Sequence, residues 1–295
     1  MIALRRERLA GKIHANFCGE TKKGFERELL QAQRRIACGE LTKHKWQDGR
    51  WKAAKDQLIA EAGGKCAYCE APTTQVAYGD VEHFRPKSEY WWLAYCYDNY
   101  LVSCQLCNQK YKKAKFPIKN GPMPAPPILD CTTDDEIEAL AGKIAPDPLD
   151  PNQVEAFRLL HEQERPLLLN PYFDDPAEYY AWRADGVKKE VALVPLPTNP
   201  ESGAFVQAAI KNYGLNRKEL RDYRWAEYEK YWTFRASLEA GVLPAPLAAQ
   251  TQHMIEAMKS ATSPYAGMIC YFDGLALADL PAPPPPPPSG DGDDS

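Results

Sequence analysis

The spacing of apolar residues predicts that helices flank a short central segment with a different pattern. Between residues 23 and 38 the apolar positions recur at helical spacing, and Gly39 ends the pattern. The shared face consists of Phe25, Leu29, Ala32 and Ile36. A second helix is predicted over residues 51–62, closed by Gly63 and Gly64. The basic segment before the first helix is predicted either to begin another helix or to remain a flexible arm.

After the centre of the chain the pattern predicts a linker and further helices. A proline-rich linker at residues 118–130 precedes a short helix at 132–141, which begins with threonines and acidic side chains typical of a helix N-terminus. The other helices are predicted at residues 153–161, 202–213, 216–240 and 246–262.

Strand patterns also occur in this half. Residues 167–169 are predicted to be an apolar strand that runs into a turn. Strands at 178–183 and 187–194 flank the dipeptide Asp185-Gly186, which is typical of a hairpin. Residues 281–295 are predicted to be a polyproline stretch with an acidic, disordered tip.

The central segment, residues 66–117, alternates cysteine pairs with short structural elements. Cys66 and Cys69 form one Cys-x-x-Cys pair, and Cys104 and Cys107 form a second. The predicted elements are a strand at 76–84, a short helix or turn at 90–95, a connection at 99–103 and a helix from about 107 to before 117. With the connection at 99–103 as the second strand, the predicted order is strand, strand and helix around a metal.

The two cysteine pairs have the spacing of zinc knuckles. Two residues between cysteines let both thiolates bind one tetrahedral Zn²⁺, and two such pairs supply all four ligands. The alternative is a set of buried or redox-active cysteines, but two pairs together favour structural zinc. The other cysteines lack a partner at ligand spacing and are predicted to be core or incidental residues: Cys18, Cys38, Cys96, Cys131 and Cys270.

Asp80, Glu82 and His83 lie midway between the knuckles. In a regular strand Asp80 and Glu82 share one face and His83 points to the other, but a distortion near Pro86 would bring Glu82 and His83 together. A carboxylate suits Mg²⁺, and a neutral imidazole is a general base near neutral pH. Together they predict metal-assisted cleavage of a phosphodiester. The alternative is a core histidine beside a surface glutamate.

Polar residues around this strand complete the candidate site. Asn108 follows the last knuckle cysteine and is a further candidate metal ligand, whereas Asn99 is placed to hold the His83 loop through its backbone. Each could instead be a helix cap or turn residue. Candidate phosphate contacts are Arg85, Lys87, Lys110, Lys112, Lys113 and Lys115.

Composition and charge limit the class of protein. The chain has 295 residues, 44% hydrophobic and 26% charged, as in a soluble globular protein. No apolar run reaches membrane-spanning length and no signal peptide is evident, so we expect a cytoplasmic protein without a membrane partner. Residues 1–120 contain 22 Lys and Arg against 13 Asp and Glu, whereas residues 121–295 contain 14 against 27. The basic half suits nucleic acid, although a solvated surface shows the same bias.

The central segment resembles the HNH, or ββα-metal, endonucleases. The resemblance rests on Glu82-His83, Asn99 and Asn108, with the four knuckle cysteines as the zinc staple found in many members. It implies that His83 is the general base, that Glu82 and Asn108 bind the catalytic Mg²⁺ or Mn²⁺, and that Asn99 orders the His83 loop. The chain departs from the family in having Glu before the histidine and Asn at the last position, which puts the metal preference in doubt.

A narrower resemblance covers most of the chain. The motifs K-C-A-Y-C-E, V-E-H-F-R-P-K-S, C-N-Q-K-Y-K-K-A-K-F-P, L-L-L-N-P-Y-F-D-D-P and Y-G-L-N-R-K-E-L-R are similar to the HNH subunits of Septu-type and retron-linked bacterial antiphage systems. Those subunits act with an SMC- or ABC-like ATPase partner. In the fourth motif Asp174 and Asp175 are candidates to approach the site, although a turn or cap role suits them better.

These observations predict an α+β protein in which a zinc-stapled ββα-metal HNH core is embedded in a mainly α-helical chain. The expected parts are a basic helical region (1–62), the nuclease core (63–120), a helical region with a hairpin (121–280) and the tail (281–295). The predicted function is metal-dependent hydrolysis of nucleic acid, with DNA as the preferred substrate. The alternatives are an RNA- or tRNA-cleaving nuclease with the same site, or a non-catalytic zinc module that binds nucleic acid or a partner.

Overall fold

The structure is a computed structural model that describes residues 1–74 and 79–284. Its helices are α1 (Gly19–Ala37), α2 (Asp48–Lys52), α3 (Lys55–Glu61), α4 (Leu106–Lys112), α5 (Asp134–Leu140), α6 (Pro151–Glu164), α7 (Ser202–Tyr213), α8 (Lys218–Glu239), α9 (Ala245–Lys259) and α10 (Ala266–Asp273). Its strands are β1 (Asp80–His83), β2 (Tyr100–Ser103), β3 (Tyr180–Asp185) and β4 (Glu190–Pro195). The predicted mixture of many helices with a little β-structure is confirmed.

The central segment folds as two antiparallel strands followed by a helix. β1 pairs with β2 so that Asp80 lies opposite Ser103 and His83 lies opposite Tyr100. β1 is shorter than predicted, and residues 76–78 of the predicted strand lie outside the described residues. α4 has π-type hydrogen bonds, a geometry often found at functional sites.

The second sheet is the predicted hairpin. β3 pairs with β4 along its whole length, and Asp185 lies opposite Glu190. The Asp185 carboxylate accepts hydrogen bonds from the backbone amides of Val187 and Lys188, which stabilises the turn. α7 packs against both β4 and α4, so this hairpin is linked to the central segment through one helix.

Several helix ends follow from local chemistry. Thr133 forms a capping box with Glu136 at the start of α5, as the sequence predicted. Asp150 caps α6 and Pro151 occupies its first turn, so that helix is longer than predicted. Gly214 ends α7 with a φ of 65°, and a side chain there would strike the Tyr111 ring.

The first helix buries a different face from the one predicted. Leu29 and Leu30 are buried, but so are Lys22 and Glu26, which form an ion pair with 2.6 Å between Nζ and Oε1. Glu26 also accepts hydrogen bonds from the backbone amides of Gly142 and Ile144. Because this carboxylate is paired and hydrogen-bonded, it can lie where an apolar residue was expected.

Two further predictions are wrong, and one helix was not predicted. The single helix predicted over residues 51–62 is two helices, α2 and α3, which meet at Ala53-Ala54, and neither Gly nor Pro marks that break. Residues 167–169 pair with no strand within residues 1–74 and 79–284, although Leu168 and Leu169 are fully buried and the Leu167 amide donates to the Pro117 carbonyl. The sequence pattern also missed α10, which is apolar on most of its surface because much of it lies in the core.

The ends of the described chain pack against the rest. Residues 4–9, before α1, are neither a helix nor a free arm, because the Leu4 amide donates to the Pro171 carbonyl and Arg6 pairs with Glu61. At the other end Tyr228 donates to the Pro281 carbonyl. Residues 285–295 lie outside the described residues, and with them most of the predicted polyproline tail. Among the helices described, none is both long enough and apolar enough to cross a membrane.

Candidate active site

The four knuckle cysteines meet as predicted. The sulfurs of Cys66, Cys69, Cys104 and Cys107 all lie within 4.8 Å of one another. Cys69 and Cys104 are 3.9 Å apart at sulfur, close to the roughly 3.8 Å that a tetrahedral zinc with ~2.3 Å bonds requires. The backbone amide of Ala67 donates to the Val102 carbonyl and so ties the first knuckle to β2. The cluster is compatible with structural zinc.

A cationic side chain from α8's entry loop lies against the cluster. Arg217 Nη1 lies 3.8 Å from Cys107 Sγ, and Arg217 Nη2 lies 3.7 Å from Cys69 Sγ. Burial works against the charged guanidinium, but the neighbouring Cys69 and Cys107 raise the pKa of Arg217 above its ordinary value. Four thiolates around Zn²⁺ would carry a net charge of about −2, which this half-buried guanidinium would partly neutralise. This role of Arg217 was not predicted from the sequence.

The sequence feature that could have pointed to Arg217 is the motif Y-G-L-N-R. The structure explains the residues that precede Arg217 in it. Asn216 accepts a hydrogen bond from the Leu193 amide and donates one to the Leu193 carbonyl, so it joins the motif to β4. Gly214 gives the left-handed turn that ends α7. Together they hold Arg217 in position against the sulfurs.

Beside the cysteine cluster a cavity of about 470 Å³ brings three predicted site residues together. Glu82, His83 and Asn108 all line it. Its wall also contains Trp46, Trp51, Lys87 and Lys113. Glu82 and His83 therefore reach one space although they are consecutive in β1. Asn99, the fourth predicted residue, does not line the cavity.

His83 is held in a single tautomer. Its Nε2 lies 3.0 Å from the Ala94 carbonyl oxygen, which can only accept, so Nε2 carries the proton and Nδ1 keeps its lone pair. Trp51 and Tyr100 pack edge-on against the ring at 5.0 and 5.1 Å. Burial, together with the nearby Lys87 charge, lowers the pKa of His83 to about 3. The imidazole is therefore neutral, as a general base must be.

Glu82 pairs with Lys112, which was predicted from the sequence to contact phosphate. Its Oε1 lies 2.5 Å from Lys112 Nζ, and both side chains are buried. Burial raises the pKa of Glu82, and the Lys112 charge opposes that effect. Lys112 also donates to the His83 carbonyl. Lys112 has no exposed surface, so the prediction that it contacts backbone phosphate is wrong.

Asn108 is oriented by a residue that was not predicted to act on it. Its Nδ2 donates to Asp80 Oδ2 at 3.2 Å, and Gln109 Nε2 donates to the same oxygen at 2.8 Å. Because the amide nitrogen is engaged, Oδ1 of Asn108 is the atom left to act as a ligand. Asp80 is thus a positioning residue. Its spacing of two residues from Glu82 was visible in the sequence, but its partner was not.

Asn99 makes the type of contact that the sequence analysis expected. Its Oδ1 accepts from the Arg85 amide at 2.9 Å, and its Nδ2 donates to the carbonyls of Arg85 and Leu93 at 3.0 and 3.3 Å. The side chain is fully buried. One amide therefore ties the residues just after His83 to the turn that supplies Ala94.

Arg85 is part of this framework and not a surface contact. It has no exposed surface, and its Nε and Nη2 donate to or pair with Glu164 Oε2 at 2.8 and 2.6 Å. Arg85 Nη2 also lies 3.1 Å from His161 Nδ1. The prediction of a phosphate contact is therefore wrong for Arg85. Glu164 and His161, on α6, are supporting residues that the sequence analysis missed.

The other charged candidates are four lysines at or near the surface and two aspartates in and beside a turn. Lys87 is half-buried with its ammonium 5.0 Å from the Trp51 ring centre, whereas Lys110, Lys113 and Lys115 are exposed. Their contact with phosphate stays a prediction. Asp175 caps the turn at Pro176–Glu178 and Asp174 bonds His161, so neither lines the cavity.

The fold and the site define a mixed α/β protein with a four-cysteine metal cluster beside a cavity that contains carboxylate, imidazole and carboxamide groups. The chain is similar to the Septu protein PtuB of Bacillus mycoides (strain KBAB4), with 29% identity over 237 residues. The matched region covers 76% of this chain and 66% of that protein, just under two thirds of its length. This similarity confirms the resemblance to a Septu-type protein. No family model and no solved structure matches the chain.

Proposed function

We propose that the chain is a metal-dependent endonuclease of the HNH type that hydrolyses phosphodiester bonds, with DNA as its preferred substrate. One observation carries the proposal: Glu82, His83 and Asn108 line one cavity on the unit formed by β1, β2 and α4. In this proposal residues 63–120 are the nuclease core, and the regions on either side support it.

The donor groups fit a hard divalent cation. Glu82 Oε1 faces Lys112, which leaves Oε2 as the second oxygen of a carboxylate, and Asn108 offers its amide oxygen. Oxygen ligands of this kind suit Mg²⁺ or Mn²⁺, whose other positions water and phosphate can fill. Such an ion, when bound, would polarise the scissile phosphate and stabilise charge on the leaving oxygen.

His83 acts as the general base in this proposal. Its Nδ1 takes a proton from the attacking water, and the hydrogen bond from Nε2 to the Ala94 carbonyl stabilises the imidazolium that forms. The phosphate group of a bound substrate is negative, which raises the pKa of His83 from its low value in the free protein. Asn99 and Arg85 keep the loop after His83 in place while this happens.

The cysteine cluster has a structural role in the same proposal. It joins the first knuckle, the end of β2 and the start of α4, and Asn108 immediately follows Cys107. Zinc therefore sets the position of one catalytic ligand without entering the reaction. Arg217 balances the charge of that zinc site.

The similarity to the Septu protein supports a role in antiphage defence. We propose that the chain acts in a Septu-type system, in the cytoplasm, together with an SMC- or ABC-like ATPase subunit. The basic first 120 residues suit a nucleic acid, and the acidic remainder offers a different surface to a protein partner.

A second candidate function has one observation in its favour. Lys112 gives the Glu82 carboxylate a counter-charge without a divalent cation, which is the arrangement expected of a non-catalytic zinc module. That candidate predicts that purified protein leaves nucleic acid intact under all conditions. An RNA-cleaving enzyme with the same site predicts instead that RNA is the better substrate.

The purified chain, alone and with the proposed ATPase subunit, should be incubated with plasmid DNA and with total tRNA in Mg²⁺ or Mn²⁺. We expect cleavage of the plasmid, which a chelator that spares the zinc should abolish. Cleavage of tRNA alone would favour the RNA enzyme. If both substrates stay intact in every combination while zinc is retained, the enzyme proposal is wrong and the non-catalytic module is favoured.

A further inference from the structure

A column of three stacked aromatic rings ends at the wall of the cavity. His44 stacks on Trp91, with ring centres 5.2 Å apart, and on Trp46, with ring centres 5.1 Å apart; both interplanar angles are 15°. Trp91 is buried at the inner end, whereas Trp46 is half-buried and lines the same cavity as His83. The column therefore leads from the core to the space in which the proposed chemistry takes place.

The column is fixed at its centre. His44 Nε2 lies 2.9 Å from Gln33 Oε1, so the imidazole is held by α1 as well as by the two indoles. Burial lowers the pKa of His44, which keeps the ring neutral and able to stack as an uncharged aromatic. Trp46 is thus supported on one side by a rigid stack, which is what a platform for a flat ligand requires.

The loop that contains Trp46 also offers positive charge. Lys43 and Lys45 flank His44 in sequence, and both are exposed. Neither forms an ion pair with any residue in the part of the chain that the structure describes. Lysines alternating with aromatic rings are the composition that binds single-stranded nucleic acid, because the rings stack on bases and the lysines contact phosphates.

We propose, on the basis of the nuclease function proposed above, that Trp46 stacks on the base of an unpaired nucleotide next to the scissile phosphate, while Lys43 and Lys45 contact flanking phosphates. A base inside a duplex has both faces covered by its neighbours, so only an unpaired or unstacked nucleotide can lie flat on Trp46. The cavity of about 470 Å³ has the size of a small-ligand site and suits one nucleotide better than a duplex.

The shared feature of the ligand is an unpaired nucleotide, and both single-stranded DNA and single-stranded RNA supply it. The substrate preference of the protein would then be for loops, ends or displaced strands over intact duplex. A preference of this kind arises from stacking and is nearly independent of base identity.

The test measures stacking without relying on cleavage. The full chain carrying His83→Ala is titrated into short single strands of DNA and of RNA that contain one 2-aminopurine, whose fluorescence is quenched when it stacks. We expect quenching with at least one of the two strands, and its absence with the matching duplex. Adding Trp46→Ala should abolish the quenching and raise Kd by roughly ten- to hundred-fold. Trp46→Phe should restore most of both signals, because it keeps a ring.

The control is Tyr223→Ala, since Tyr223 is an exposed aromatic (67%) on α8 that does not line the cavity; it should leave Kd unchanged. Lys43→Ala and Lys45→Ala should each lower the slope of log Kd against log salt by about one. Thermal unfolding and zinc content show whether each variant is folded.

Three results would overturn the inference: no binding to either single strand, equal quenching with and without Trp46, or duplex bound as tightly as single strand with the same dependence on Trp46. A different result separates the two proposals. If the Trp46 effects are found but His83→Ala cleaves as well as the parent protein, the stacking site stands and the assigned catalytic base is wrong.

Discussion

The ion pair between Arg85 and Glu164 offers a sharp test of how the His83 loop is held. Glu164 Oε2 faces Arg85, whereas Oε1 accepts hydrogen bonds from Tyr90 Oη at 2.5 Å and from the Met123 amide at 2.9 Å. Glu164→Gln keeps the Oε1 acceptor and replaces Oε2 with an amide group that can only donate. The change therefore removes the partner of Arg85 and leaves the other two contacts in place.

The expected cost follows from burial. Arg85 and Glu164 have no exposed side-chain surface, so the substitution leaves a buried guanidinium without a counter-charge. Breaking a buried pair in this way costs about 3–5 kcal/mol, which corresponds to a fall in Tm of roughly 10 °C for a domain of this size. Urea unfolding of the zinc-loaded protein, followed by circular dichroism, measures the free energy directly.

The double variant separates the charge from the packing. In Arg85→Met with Glu164→Gln no buried charge remains, and an apolar side chain of similar length fills the space of the guanidinium. We expect the double variant to be more stable than Glu164→Gln by at least about 1.5 kcal/mol, because it leaves no uncompensated buried charge. If Glu164→Gln costs less than about 1 kcal/mol, or if the double variant is no more stable than the single one, the pair does not hold this loop.

Three further predictions address the other supports of the site. Asn99→Ala removes three buried hydrogen bonds and should lower the free energy of unfolding in urea by about 2–4 kcal/mol. It should also reduce kcat more than substrate affinity. Asn99→Asp keeps the acceptor for the Arg85 amide and should lose less stability. Arg217→Gln should weaken zinc binding roughly 10- to 100-fold in a competition with a chromophoric chelator. The control Arg221→Gln, one turn further along in α8 and paired with Glu190, should not weaken it. Equal zinc affinities of the two variants would mean that Arg217 does not support the zinc site. The pKa of His83 is about 3 in the folded chain and 6.5 in its unperturbed state, so the unfolded chain takes up a proton first as the pH falls. Stability should therefore fall by roughly 1–2 kcal/mol more between pH 7.5 and 5.5 in the parent than in His83→Asn. Identical pH slopes in the two proteins would mean that His83 is not buried as described.

Local chemistry explains what the sequence could reveal. The cysteine spacing, the threonine-capped helix start at Thr133 and the turn after Asp185 each depend on residues within a few positions of one another, and all three are confirmed. The contact between Asn99 and the backbone after His83 was also foreseeable, because a buried amide beside a strand must find backbone partners. Such features can be predicted because the residues that cause them are close together in the sequence.

The errors concern partners that are distant in the chain. Arg85 and Lys112 were assigned to the surface because a basic side chain in a polar stretch has no visible counter-charge, yet Glu164 lies 79 residues from Arg85. Lys22 and Glu26 were left out of the buried face of α1 for the same reason, since the backbone amides that donate to Glu26 lie beyond residue 140. Burial of a charged residue depends on tertiary contacts that periodicity does not contain.

The proposed role of Trp46 also depends on a residue that is distant in the chain. Its sequence neighbours show alternating basic and aromatic residues, but the stack needs Trp91, which lies 45 positions further along the chain. Only the fold shows that the loop before α2 borders the cavity formed by β1 and α4. Motif reading therefore found the candidate catalytic residues and missed what surrounds them.

The most direct test of the proposed function compares the parent protein with His83→Ala in one metal-dependent cleavage assay, on preparations shown to contain equal zinc and to unfold at similar temperatures. We expect the parent to cleave plasmid DNA in Mg²⁺ or Mn²⁺ and His83→Ala to lose at least a hundredfold in rate, as expected when a general base is removed. Equal cleavage by the two proteins, or no cleavage by either in the presence of the ATPase partner, would contradict the assignment of His83 as the base of a metal-dependent nuclease.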